Sequence, residues 1–272
     1  AMYAVLFGVT IWSRISHRRS WSLPRPSRIA LSIGVIVIAV LAIKAAGDRP
    51  DGNVHVTALE SGGTLIESAG GRFVLVGGGE SSSSLANTLG RKLPLFNRRI
   101  DWLIIPDGEV AGLAGIPAGL QVSGLMHGTE TPGRALSSVI GSLQAKGTRV
   151  IQPEPGMALD LGNESRLMIA GSQDGQLTLL LTVGRARIGI VPNARSLDIH
   201  QLAPLSGIIL PNRSVTQEVL DLDVDFAVIT GEVPVSMERS GPELLATDEL
   251  GWIELITDGE QLWIVSQRNG SR

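Results

Sequence analysis

The chain has 272 residues, 43% of them hydrophobic, with 33 glycines and 14 prolines, which suits one large or two small domains with a sizeable core and many turns. It contains no Cys, which excludes disulfides and thiolate metal sites. The net charge of −3 hides an asymmetry: residues 1–47 carry six basic residues and no acid, leaving 17 basic against 26 acidic residues, −9, in the remainder. An acidic region of that kind is a poor electrostatic partner for a phosphate backbone.

Residues 1–12 are apolar and read as the end of a transmembrane helix. Residues 13–28 form a basic loop with five arginines, flanked by Trp12 and containing Trp21, as at a membrane interface. Residues 29–47 are again apolar. At about 1.5 Å per residue they reach roughly 28 Å, near the thickness of a hydrocarbon core, with Lys44 able to snorkel at one end. The positive-inside rule sets the arginine loop in the cytoplasm and everything after Gly47 on the other side.

Residues 48–53 read as a Gly/Pro/Asp linker, and residues 54–268 as the folded domain. Strands are expected at 55–59, 64–68 and 72–76, separated by Gly62-Gly63 and Gly70-Gly71, the spacing of a meander. Gly77–Gly79 and four serines then lead into a helix at 84–93. This loop fits neither phosphate-loop nor dinucleotide patterns, and the serines are better read as a helix N-cap.

The stretch 98–115 organises the domain. It reads as a buried strand at 101–105, a Pro106-Asp107-Gly108 turn, and a helix from near Glu109. A strand end followed by a helix start is where α/β sheets place ligands. Beyond it the pattern predicts a strand at 121–125, His127 in a loop and a helix at 135–146. Strands follow at 148–152, 158–161, 166–170, 177–183, 186–191, 206–210 and 225–229, with a short helix at 196–202. A closing hairpin is expected at 252–256 and 261–265.

These motifs resemble the metallo-β-lactamase-like domain of ComEC-type DNA-uptake proteins. Gly70-Gly71-Arg72-Phe73-Val74-Leu75-Val76-Gly77-Gly78-Gly79 is similar to that family's Gly-Gly-x-x-Val-Leu-Ile-Asp-Gly-Gly, with Gly77 in the acidic position. The stretch 98–115 is similar to its Arg-Arg-Ile-Asp-x-Leu-x-Leu-Thr-His-x-Asp-x-Asp-His-x-Gly-Gly. In the alignment adopted, Ile105 and Val110 replace the two histidines, Asp107 matches the first Asp and Glu109 replaces the second. Pro192-Asn193 stands for a Gly-Asp, and Pro211-Asn212-Arg213-Ser214 for a Pro-His-His-Gly-Ser. The resemblance implies an αββα sandwich of two mixed sheets preceded by transmembrane segments, in a multi-pass protein of the bacterial cell membrane, the domain being extracytoplasmic. It implies an ancestral zinc or manganese site that has been lost, with no cofactor retained.

Metal-assisted phosphodiester hydrolysis needs converging imidazole and carboxylate ligands. His55, His127 and His200 all lie off the motif. Asp107 and Glu109 are weak metal candidates, also explained as a turn-forming Asp and a helix-capping Glu. Residues 221–225, with three Asp, lack the turn glycine and distal Glu of a calcium loop. No Gly-x-Ser-x-Gly elbow is present. The leading expectation is therefore a non-catalytic structural or interaction module of a ComEC-like protein, partnered by the membrane, the rest of the channel or another uptake protein. The alternatives are a metal-dependent nuclease or phosphodiesterase using Asp107, Glu109 and His127, and a repurposed membrane-anchored domain that has lost uptake.

Overall fold

A computed structural model describes residues 50–94, 98–117, 119–192, 202–216, 219, 221–232 and 241–268. The readings of 1–12, 13–28 and 29–47 as membrane segments, and those of Asn193, His200 and most of the 196–202 helix, lie outside the described residues. Among the described residues no helix is long and apolar enough to cross a membrane.

The first half of the domain builds one sheet. Its strands are β1 (Val54–Ala58), β2 (Thr64–Glu67), β3 (Phe73–Val76), β4 (Arg99–Ile105), β5 (Gln121–His127) and β6 (Arg149–Ile151). The second half builds another from β7 (Ala158–Gly162), β8 (Ser165–Gln173), β9 (Gln176–Val183), β10 (Ala186–Ile190), β11 (Gly207–Pro211), β12 (Phe226–Thr230) and β13 (Glu243–Ala246). The chain then returns to the first sheet with β14 (Ile253–Thr257) and β15 (Leu262–Ser266), giving orders β15-β14-β1-β2-β3-β4-β5-β6 and β13-β12-β11-β10-β9-β8-β7. Each sheet is mixed in the same way. An antiparallel run (β15 to β3; β7 to β10) passes into a parallel one (β3 to β6; β10 to β13).

Side-chain alternation explains why the sheets pack face to face. Val56, Val74, Ile104 and Met126 of the first sheet join Leu167, Leu179, Ile188, Ile209 and Val228 of the second in one buried cluster. The opposite face of the first sheet, with Leu75, Leu103, Ile105 and Leu125, is covered by α1 (Ser82–Lys92) through Leu85 and Leu89 and by α2 (Arg134–Ala145) through Leu136 and Leu143. The outer face of the second sheet packs Leu180, Ile208 and Leu210 against Leu202, Leu205, Val219 and Leu222. Burying each such side chain contributes about 1.5–3 kcal/mol, so the layered arrangement follows from the apolar pattern of the strands.

Local chemistry sets the element ends. Ser81 caps α1 by accepting from the Ser84 N–H at 3.3 Å, and Arg91 and Lys92 favour the dipole in its last turn. Gly62 and Gly71 adopt left-handed φ values of 98° and 75° at the meander turns.

Three readings need correction. The helix expected from Glu109 is only a 3₁₀ turn, Ala111–Gly115. Glycines at 112 and 115 and Pro117 just beyond deprive it of α-helical propensity, and the Gly112 N–H is drawn instead to the Gly79 carbonyl at 2.8 Å. His127 is not in a loop: it is the last residue of β5 and is buried. β13 and the single turn α3 (Thr247–Leu250) had no counterpart, because Glu-Leu-Leu-Ala is too short to show a period.

Candidate functional site

The site lies where the two sheets open, at the C-terminal ends of β3, β4, β11 and β12. β4 ends at Ile105. Pro106 has no N–H to continue the ladder, while its carbonyl accepts from the Leu177 N–H of β9 at 2.8 Å, tying the turn to the second sheet. Asp107 Oδ1 then accepts from the Glu109 N–H at 3.1 Å, and Gly108 supplies the positive φ of 77° that closes this turn. Both carboxylates line the opening.

Across the opening, β11 runs into a 3₁₀ turn, Asn212–Ser214. Ser214 is buried and donates from Oγ to the Pro192 carbonyl at 2.8 Å, which anchors the turn. The side chain this presents is Arg213. Its Nη2 donates to Asp107 Oδ2 at 2.8 Å and its Nη1 donates to Glu109 Oε1. One guanidinium thus spans both carboxylates and joins the loop after β4 to the turn after β11.

The electrostatics apportion this clamp. Burial pushes the Asp107 carboxyl above its ordinary range, and the like charge of Glu109 adds to that, against the opposing pull of the Glu109 N–H and of Arg213. The hydrogen bond to Glu109 raises Arg213, with burial acting the other way and Asp107 and Glu80 adding attraction. At Asp107, desolvation outweighs the guanidinium. At the half-exposed Arg213, pairing with the two carboxylates outweighs desolvation.

Behind the clamp is a cavity of about 60 Å³ lined by Gly77–Gly79, Pro106, Ile190–Pro192, Ile209–Pro211 and Thr230. The glycine loop is packed shut: a Cβ on Gly112 would lie 1.9 Å from the Gly78 carbonyl oxygen, and one on Gly79 would lie 1.7 Å from the Ser61 carbonyl oxygen.

The expected site residues separate. Asp107 and Glu109 come together, and Gly77 lines the same cavity. Ile105 is fully buried, with Val110 packed beside it, in the cluster between the first sheet and its helices rather than in the opening. Strand alternation is the reason: Ile104 faces the second sheet, so Ile105 must face the helices. Asp107, not Ile105, therefore reaches the opening between the sheets. The glycine loop leaves no room for a side chain at Gly112. Asn212 sits at the turn beside Gly231.

His127 Nδ1 instead pairs with the Thr129 carbonyl at 3.0 Å. His55 lies on β1, 3.1 Å from Asp51 and 3.3 Å from Glu254. Among the described residues no group of three or more His, Asp or Glu converges as metal ligands would, so Asp107, Glu109 and His127 do not form a joint ligand set. Two carboxylates engaged by a guanidinium do not fit a catalytic zinc or manganese ion, which needs further N or O donors. Arg213 is the residue that sequence reasoning passed over. Its signal was a cationic side chain in a Pro-Asn-Arg-Ser turn at a strand end, in a chain that keeps two carboxylates in the turn after β4.

No protein-family model matches the chain, and a search of curated proteins finds no relative. Solved structures to which it is similar include the metallo-beta-lactamase fold protein YhfI from Bacillus subtilis, at 11% identity and TM-score 0.48, over 71% of this chain and 95% of that one. Zn(2+)-bound PqqB from Methylobacterium extorquens matches at 11% identity and TM-score 0.45, over 62% and 75%. CmlA, a diiron beta-hydroxylase from Streptomyces venezuelae, matches at 14% identity and TM-score 0.44, over 66% of this chain; the chain spans only 45% of CmlA.

Proposed function

We propose that this domain is a metallo-β-lactamase-like module in which the Arg213 guanidinium has taken the place of the metal, and that it is non-catalytic. The observation that carries this reading is the Arg213 bridge to Asp107 and Glu109 at the mouth between the sheets. A guanidinium neutralises two carboxylates as a metal would. It offers no open coordination position and does not bring a bound water's pKa toward neutrality, so it holds the old ligand loops together without their chemistry.

The domain is then a structural or interaction module of a ComEC-like membrane protein. The membrane location rests on the apolar segments at 1–12 and 29–47, and the DNA-uptake context on the resemblance of 70–79 and 98–115 to that family. The acidic domain makes a protein partner or the channel itself a better fit than direct contact with DNA.

The test is metal content of the purified full chain after zinc or manganese is offered, together with cleavage of duplex and single-stranded DNA. The expected result is no stoichiometric metal and no cleavage. One or two tightly held ions that disappear in Asp107→Ala, with metal-dependent cleavage, would overturn the proposal.

A further inference from the structure

Among the described residues the two sheets have four edges, and three are defended in the ways that keep strands from pairing with other chains. β6 is only three residues long and carries Arg149. β7 carries Asp160 and a register shift between Asp160 and Gly162. β13 opens with Glu243. β15 has none of these devices. Leu-Trp-Ile-Val-Ser contains no charge and no proline, pairs with β14 in unbroken register, and is the end strand of its sheet. It also carries Trp263, 41% exposed, the large apolar side chain most open to solvent among the described residues.

We propose that β15 is a self-association edge, pairing antiparallel with β15 of a second copy about a twofold axis through Ile264. The hydrogen-bond phase of the strand permits this register. The Gln267 N–H donates to the Trp252 carbonyl at 3.1 Å, so Trp263, Val265 and Gln267 direct their backbone groups toward β14. Leu262, Ile264 and Ser266 direct theirs outward. Pairing about Ile264 sets Ile264 opposite Ile264 and Leu262 opposite Ser266, the outward-facing residues meeting as hydrogen-bonded pairs. That makes about six interchain bonds.

The side chains agree on both faces. Leu262 and Ile264 already pack on the core between the sheets, and the pairing extends that face. On the other face Trp263 falls opposite Val265, an aromatic–β-branched pair of the kind that stabilises sheets. Charge complementarity chooses a second copy over an arbitrary strand. Continued two residues past each end of β15, the same register brings Glu260, in the turn before the strand, toward Arg268 of the other copy, twice by symmetry. Among the described residues Glu260 makes an exposed contact with Arg185 at 3.1 Å, and Arg268 uses Nη1 on the Asp248 and Glu249 carbonyls.

The chain has no Cys, so single-cysteine variants report without background. Directly opposed Cα atoms in such a pair lie about 5.5 Å apart, within disulfide reach. The experiment uses the full chain in mild detergent. Mild oxidation should convert Ile264→Cys, but not Ser83→Cys on the exposed face of α1, into a covalent homodimer. Ser266→Pro removes an outward N–H without touching β14, and adding it should abolish the cross-link. Equal cross-linking at both sites, a homodimer that survives Ser266→Pro, capture of a different protein at position 264, or a monomer throughout would each overturn the proposal.

Discussion

Replacing Arg213 by Met keeps most of the side chain's stem and deletes its charge, and the size of the effect follows from where the two partners sit. Breaking a fully buried ion pair from one side leaves about 3–5 kcal/mol of uncompensated charge, whereas an exposed pair contributes about 0–1. Here the Asp107 side chain is 12% exposed and that of Arg213 46%. Asp107 also keeps its bond from the Glu109 N–H. The expected loss is therefore intermediate, about 1–2 kcal/mol, or about 3–6 °C in Tm for a domain of this size. The pH dependence identifies the cause. Burial already raises Asp107, and losing the guanidinium raises it further. A carboxyl whose folded pKa lies above its unfolded value imposes no penalty below the unfolded value, about 3.9, one that grows from there up to the folded value, and a constant one above it. Arg213→Met should thus resemble the wild type in thermal unfolding at pH 4 and fall below it at pH 7. Asp107→Asn added to it should restore most of the difference. An unchanged Tm at pH 7, or an equal deficit at both pH values, would refute the charge argument.

Three further outcomes are expected. Gly112→Ala should lower stability by about 2–4 kcal/mol in denaturant unfolding, because its Cβ would lie 1.9 Å from the Gly78 carbonyl oxygen and the two loops must separate; a loss under ~0.5 would show that they can. Ile105→His should not create zinc affinity by calorimetry and should destabilise by about 2–4 kcal/mol, since it buries an imidazole among apolar side chains facing the helices; tight zinc binding would contradict the side assigned to Ile105. His55 is pushed up to about 9, first by its hydrogen bond to Glu254 and then by Asp51, against the opposing effect of burial. Lys92 shares Glu254 at 2.9 Å, and Glu67 lies across the strand pair. The His55 contribution is full below pH 6.5 and is lost as pH rises through about 9. Discounted for partial exposure it is about 1–2 kcal/mol. His55→Gln should flatten the stability profile over that window, and an unchanged slope would sink the assignment.

The layered fold was legible because alternation on short strands and glycine at their turns are local signals. The strands at 64–67, 73–76 and 176–183 lie within a residue or two of where the pattern sets them. The return of β14 and β15 to the first sheet was not legible, since nothing local tells a hairpin which of two sheets to join. That placement depends on Val54 meeting Thr257 across the whole length of the domain. The site was legible by half for a related reason. Asp107 and Glu109 stand in a turn that the sequence marks plainly, and their chemistry is visible from types and spacing. Their partner Arg213 is more than a hundred residues away, where one sequence gives no sign of proximity.

Side-chain direction was the decisive missing quantity at Ile105. Gapped alignment set Ile105 at a ligand position, but the strand's phase turns it to the helices and brings Asp107 to the opening instead. The same phase argument governs β15, where one hydrogen bond from Gln267 determines which backbone groups face outward and hence which register a second copy would take. The two placements are physically independent. The clamp at Arg213 closes the mouth between the sheets, and β15 lies at the far edge of the first sheet, beyond β14 and β1. Arg213→Met should therefore leave the Ile264→Cys cross-link unchanged, and Ser266→Pro should leave the pH 7 cost of Arg213→Met unchanged. Additivity is expected for sites that share no partner, so coupling above about 0.5 kcal/mol would mean that the sheet transmits strain between them.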